Sequence, residues 1–199
     1  VLGLIPNSRF LGEPEDGKVT IKSVGQQLFV RHELNAAWSL QGGVSYRDSS
    51  LRGFSSQAND ILQDGRTLRR QRRLNDWAGV DRSERIEAVG KIGTGTVTHH
   101  VLVGADAYAF DDDRIQLRRN PSAAAPHAID IYAPVYGSIA APLTLSASTR
   151  ERQRSRAVYL QDQLDLSPHW KALVGVRRDS YDQSVENRRL ARTSEQSLS

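Results

Sequence analysis

The chain has 199 residues, a hydrophobic fraction of 38%, no Cys, no Met, and a formal net charge of +4 carried mostly by arginine. No segment approaches the roughly 18 apolar residues of a membrane-spanning helix, and without cysteine there is neither a disulfide nor a thiolate metal site. Strongly apolar residues stand at alternate positions rather than in the clusters of a conventional soluble core, a pattern that still allows a membrane to be crossed by strands, whose individual signal is weak.

In chain order, Val1 to Thr20 holds Pro6, Asn7, Gly12, Pro14 and Gly17, a density of turn formers that predicts a loop. A first strand is expected from Val24 to Leu34, with Val24, Leu28, Val30 and Leu34 on one face and Gln27, Arg31 and Glu33 on the other. Asn35–Ala37 is a short turn into a second strand, Trp38–Tyr46. Asp48 to Leu74 reads as a long polar connection carrying the basic cluster Arg66–Arg73. In a third strand, Trp77–Ile92, the residues Ile86, Ala88 and Ile92 share a face. Continuing that register puts Arg82 and Glu84 on the apolar side, so the strand either rises beyond the apolar band or carries a bulge. Gly93–Gly95 is expected to turn the chain into a fourth strand, Val97–Phe110. There Val101, Val103, Ala105, Ala107 and Ala109 oppose Thr98, His100, Gly104, Asp106 and Tyr108. Asp111–Gln153 is a connection too long to be structureless without a function.

The clearest stretch is Arg156–Gln183, two strands around Ser167-Pro168-His169. Val158, Leu160, Leu164 and Leu166 alternate with Tyr159, Gln161, Gln163 and Asp165. Past the turn, Ala172, Val174 and Val176 share a face with Trp170. The first hairpin has the same plan: Trp38 and Trp170 each begin a strand after a short turn and each precede a Gly-Val pair by five and six residues. Connections alternate long and short, as in outer-membrane barrels with short periplasmic turns and longer extracellular loops. The tryptophans then lie at the periplasmic rim, in an aromatic girdle. The fold class expected is all-β, an antiparallel transmembrane β-barrel segment of about six strands. Six cannot close a large transporter barrel of about 22, and open edges cannot stand in lipid.

The sequence Tyr159-Leu-Gln-Asp-Gln163, then Trp170 followed by Gly175-Val176-Arg177, Asp179, Tyr181 and Asp182, resembles the barrel of TonB-dependent siderophore receptors. The stretches NSRFLGEPEDGK, HHVLVGADAYAF and NPSAAAPHAIDIYAPVYG are similar to the same family. Arg178 departs from it, standing where family barrels usually carry an aromatic. The resemblance implies a segment of an outer-membrane receptor that imports ferric siderophores, with no directly bound cofactor and the ferric siderophore as cargo. It implies that residues 1–199 are part of the barrel domain, and that the plug domain, TonB box and C-terminal strand are absent. The TonB complex would be engaged through that missing N-terminal part.

Candidate ligand contacts are Arg47, Arg118, Arg119, Tyr132, Tyr136 and Arg177. Arginine holds carboxylates and phosphates in a planar fork, and loop aromatics are able to fold over a ligand. The competing reading is structural: Ile131, Tyr132, Val135 and Tyr136 pack the loop on the barrel rim, and the basic charge faces lipopolysaccharide phosphates of the outer membrane. Asp106 is expected to pair with an arginine of a neighbouring strand. No nucleophile elbow, phosphate loop or H-E-x-x-H occurs, so no enzyme is expected. His99 and His100 point to opposite faces, and Asp111–Asp113 reads as a solvated loop. Two other readings are a passive porin or adhesion barrel, and a basic soluble β-protein binding nucleic acid through Arg66–Arg73. The loop-length alternation and girdle-like tryptophans count against the latter, and no nucleic-acid partner is expected.

Overall fold

A computed structural model describes residues 5–138 and 141–198. It consists of one antiparallel sheet. Its strands are β1 (Thr20–Glu33), β2 (Trp38–Ile61), β3 (Thr67–Thr94), β4 (Val97–Arg119), β5 (Ala128–Asp130), β6 (Thr144–Asp165), β7 (Lys171–Asn187) and β8 (Arg192–Leu198). The order across the sheet is β1-β2-β3-β4-β6-β7-β8, with the three-residue β5 paired to the outer end of β3. The six expected strands are present in sequence order; β5 and β8 are additions with no alternating pattern of their own.

Sequence-local chemistry sets the short turns. Asn35 Oδ1 accepts the backbone N–H groups of Ala37 at 2.8 Å and Trp38 at 3.0 Å, an Asx turn that brings Trp38 back over β3. There Gly90 makes room: a Cβ at Gly90 would lie 2.6 Å from the Trp38 ring. The Ser167 hydroxyl accepts from Trp170 N–H at 3.2 Å in the equivalent turn. Between β3 and β4 the turn is tighter than Gly93–Gly95. Gly93 and Thr94 remain paired in the ladder, opposite Thr98 and Val97, and Gly95 takes φ +62°, a backbone that glycine adopts without a Cβ penalty.

The strands run much farther than alternation indicates. β2, β3, β4 and β6 are 24, 28, 23 and 22 residues long, against the roughly 9–11 needed to cross a bilayer. Asp48–Leu74 is therefore not a long loop but a ribbon of β2 and β3 joined by a turn at Leu62–Arg66. The Asp111–Gln153 connection likewise shrinks to the segment between Arg119 and Thr144. Above the apolar band neither face meets lipid: loop residues cover part of one face and water meets the rest, so alternation is no longer required. Cross-strand pairs continue instead, including Arg52 with Asp76 at 2.6 Å and Arg69 with Asp60 at 3.0 Å.

Register through β3 is unbroken on both sides from Arg85 to Trp77. The bulge alternative for this strand is thus replaced by the extension alternative, with Arg82 and Glu84 on the apolar-side face. Glu84 sits opposite Val44 and Ala107, and the Arg82 guanidinium lies 5.7 Å from the Tyr46 ring centroid.

Among the described residues, nothing packs on the apolar face at the level of the alternating strands. Val24, Leu28, Val30, Val44, Ile86, Val158, Val174 and Val176 are all at least half exposed. Among the described residues the one buried apolar cluster is Leu68, Ile129 and Ile131, covered by Ile5, Leu11 and Ile61. A contiguous bare apolar face of this extent marks an interaction surface, and on a sheet of membrane-crossing length its partner is lipid.

Candidate functional site

Two zones collect the polar side chains. The first is the face opposite the apolar one, the lumen side of a barrel. Its centre is Glu87 on β3, only 7% exposed. Its carboxylate accepts from Gln41 of β2 and from the Tyr159 hydroxyl of β6, each at 2.7 Å. Tyr159 reaches it across Gly104 of β4, which is in register with both Glu87 and Tyr159. A Cβ at Gly104 would come within 2.5 Å of the tyrosine ring.

Arg177 of β7 extends this network. Its guanidinium lies 5.2 Å from the Tyr159 ring centroid. It donates to Asp106 of β4 at 2.7 and 3.1 Å and to Asp179 at 2.9 Å. The expected partner of Asp106 is thus an arginine, but one strand farther away than expected. The side chain passes over Ala157 of β6, a small residue in register with Asp106 and Asp179. Arg47 donates to Asp81 at 2.8 Å on the same face. Arg47 and Arg177 are therefore tied into cross-strand pairs, with part of each side chain still open to water.

The second zone caps the outer ends of β2 and β3. Arg70 is 1% exposed. It donates to Glu13 at 3.0 Å, to the Gly12 carbonyl at 2.8 Å and to the His127 carbonyl at 3.1 Å. Glu13 also accepts from Gly137 N–H at 2.6 Å. Beside it Arg72 donates to Asp16 at 2.9 Å, and Ser56 meets His127 Nε2 at 3.2 Å. Burial, reinforced by the Arg70 charge, holds the His127 pKa below the ordinary histidine value. This clasp accounts for the basic cluster. Arg66, Arg69, Arg70 and Arg72 each face a carboxylate, of Asp130, Asp60, Glu13 and Asp16 respectively. Four of the five arginines of Arg66–Arg73 are thus paired with carboxylates, and Arg73 donates to the Gln71 side chain, which leaves little free charge for nucleic-acid phosphates.

Tyr132 and Tyr136 belong to the clasp. The Tyr136 hydroxyl donates to the Phe10 carbonyl at 2.8 Å, and the two rings lie 6.3 Å apart. The Tyr132 carbonyl accepts from Arg9, and its ring lies 5.8 Å from the Arg66 guanidinium. Both rings keep more than a third of their surface open. Arg118 and Arg119 line a separate cleft of ≈ 400 Å³ with Ser122, Thr144, Ser146 and Arg189. Within it Arg119 Nε is buried with no hydrogen-bond partner among the described residues. The six candidates thus fall into three places: Arg47 and Arg177 on the lumen side, the tyrosines in the clasp, and the arginine pair in the cleft.

Sequence reasoning missed Glu87, Tyr159, Arg70 and Glu13. The row Glu87–Gly104–Tyr159 is discoverable only once register is known, since the three come from different strands. No cluster of three or more metal-ligating side chains occurs among the described residues.

A strand-built sheet with one bare apolar face, one networked polar face, short turns at one end and long ribbons at the other defines a slice of an outer-membrane barrel. The TonB dependent receptor-like, beta-barrel family matches residues 2–198, and the chain belongs to that family of outer-membrane transport receptors, which are not enzymes. It is 37% identical over 189 residues to the metal-pseudopaline receptor CntO of Pseudomonas aeruginosa strain UCBPP-PA14, covering 95% of this chain and 27% of that protein. The same receptor from strain PAO1 is 36% identical over 189 residues. The chain thus spans about a quarter of the length of these relatives. In structure it is similar to the siderophore receptor PiuA from Acinetobacter baumannii, with TM-score 0.76, 15% identity and coverage of 94% of this chain and 30% of that one. It is also similar to BauA, the ferric preacinetobactin receptor of the same species, with TM-score 0.72, 15% identity and coverage of 90% and 27%.

Proposed function

We propose that this chain is a barrel segment, residues 1–199, of a receptor that imports a metal–metallophore chelate, of the ferric-siderophore class or a related metal chelate, in a TonB-dependent manner. The observation that carries it is the 37% identity to a metal-pseudopaline receptor over 95% of this chain. A plug domain and TonB box would be supplied by the remainder of the protein, and coupling to the TonB complex would run through them. Arg47, Arg118, Arg119, Tyr132, Tyr136 and Arg177 are the contacts proposed for the chelate. The Arg118–Arg119 cleft suits it best, because among the described residues these guanidinium groups have no carboxylate partner of the kind that occupies Arg47 and Arg177. The ligand is the cargo, and the protein itself supplies no resident cofactor to this reading.

The test is uptake in cells carrying or lacking the whole receptor. Radiolabelled iron, nickel and zinc are each offered with and without candidate metallophores, and a TonB-deficient strain serves as control. Accumulation of a chelate that requires both receptor and TonB supports the proposal and names the metal. Passive entry independent of TonB would instead support a porin-like channel.

A further inference from the structure

His127 sits at the pivot of the outer clasp. Its side chain is buried, yet its backbone is left-handed, with φ +41°. A residue with a Cβ keeps that backbone only while its surroundings enforce it. Arg70 supplies the enforcement: its backbone N–H at 3.2 Å and its Nε at 3.1 Å both donate to the His127 carbonyl. The next three residues form β5, paired with Thr67–Arg69. The chain then returns to residues 5–17 through Gly137 N–H on Glu13 and the Tyr136 hydroxyl on the Phe10 carbonyl.

The hydrogen bonds around the ring fit one protonation state. Ser56 Oγ lies 3.2 Å from His127 Nε2 and 3.3 Å from Asp16 Oδ2. A carboxylate only accepts, so the Ser56 hydroxyl donates to Asp16 and its oxygen accepts from Nε2–H. Nδ1 is then the bare nitrogen, and it is buried with no hydrogen-bond partner among the described residues. A proton added at Nδ1 makes a cationic N–H with nothing to receive it. The carboxylates that face the ring are committed elsewhere: Glu13 to Arg70 and Gly137 N–H, Asp16 to Arg72 and Ser56. Arg70 and Arg72, on β3, repel the added charge. A buried charge and a buried unpaired donor are both costly, and both are relieved when the segment lifts into water.

We propose that His127 is a proton-operated latch of the outer cap, closed while the imidazole is neutral and released, with β5 and the chain to Gly137, when the ring takes its second proton. Release uncovers the cluster of Leu68, Ile129 and Ile131 and carries Tyr132 and Tyr136 away from Arg66 and Phe10. The device ties the cap to the acidity of the medium. It rests on the clasp alone, whichever chelate the receptor carries.

The experiment uses the intact receptor carrying I131C, a position sealed by the closed cap. Its labelling rate with a water-soluble maleimide is divided by that of V135C, a position open in either state. The ratio removes the pH dependence of the thiol itself. It is expected to rise about 10-fold from about pH 8 to about pH 5, and to fall back on return. In H127N/I131C the ratio should stay low throughout, because asparagine tolerates the left-handed backbone, donates to Ser56 and takes no proton. A ratio that does not move in the protein retaining His127 overturns the proposal, and so does an equal rise in H127N/I131C. A second measurement leaves the clasp unaltered. In receptor labelled with 15N-histidine, the His127 ring, identified by the signal that H127N lacks, should carry its proton on Nε2 at about pH 8. A proton on Nδ1 in that state also overturns the latch.

Discussion

The bilayer-level part of the sheet and its extracellular extension are built from the same strands by different means. At bilayer level, alternation decides everything: even-numbered β3 residues such as Ile86 and Ala88 face lipid, and odd-numbered ones such as Glu87 face the lumen. The stabilising interactions there are the ladder itself and a few polar contacts across Gly104 and Ala157. In the extension, alternation fades and ion pairs take over. Leu68, Arg70 and Arg72 lie on the same face of β3 as the lipid-facing residues, but they are covered by residues 5–17 and the segment around His127–Gly137 instead of lipid. One set of strands therefore serves two solvents, and the side-chain rules change where the solvent does.

The sharpest way to break this contrast is at Arg70. Arg70→Met leaves Glu13 buried without its charge partner, and removing one member of a buried pair costs about 3–5 kcal/mol. That loss should be confined to the extension. Limited proteolysis of the intact receptor should open residues 5–17 while barrel assembly, read as heat-modifiable mobility, stays normal. Equal protection of that segment in variant and parent would show that the clasp does not depend on the pair.

A bilayer-level counterpart is Gly104→Val. The added side chain collides with Tyr159 and separates it from Glu87, an overpacking cost of about 1–3 kcal/mol. Tyr159→Ser in the same chain should recover part of the loss. Failure of that rescue, measured as the temperature of barrel unfolding, would place the strain elsewhere.

Acid should distinguish the zones as well. The folded His127 pKa is depressed, so the unfolded clasp binds more protons at mildly acid pH. Its contribution is fully present above the ordinary histidine value and is lost as pH falls from there through the folded pKa. Hydrogen-exchange protection at residues 127–131, corrected for the intrinsic rate at each pH, should therefore fall below about pH 6.5. His127→Asn should flatten that dependence.

The smallest effect is expected at Arg177. It is half exposed and its carboxylates remain hydrated, so Arg177→Gln should change stability little, as for other exposed pairs. If chelate affinity falls while the unfolding temperature holds, Arg177 contacts the ligand in addition to Asp106. Unchanged affinity removes it from the candidate contacts.

The sequence showed the region whose physics is periodic. The six membrane strands, the Trp38 and Trp170 turns and the outward direction of Val158 and Ile86 all follow from period-two burial. β2 and β3 beyond Asp48 were invisible because no lipid lies there: the clasp covers part of one face and water meets the rest, so nothing forces alternation, and the pairing of Arg52 with Asp76 and Arg69 with Asp60 marks the strands instead. Arg177 could be named from a motif, but its reach to Asp106 depends on Ala157 being small and in register. The role of Arg70 was hidden among eight residues rich in arginine, because partner choice is set by tertiary geometry and not by spacing.

The clasp also has a bearing on the order of folding. Arg70 and Glu13 are 57 residues apart in sequence, and Gly137 and Glu13 are 124 apart, whereas the hairpin turns join near neighbours. Contacts so distant close late, after the ladder that carries them exists. Interactions made after the rate-limiting barrier slow unfolding without hastening assembly. The outer cap then works as a kinetic lock on a barrel that is already inserted, and its loss should show as a faster unfolding rate at an unchanged folding rate.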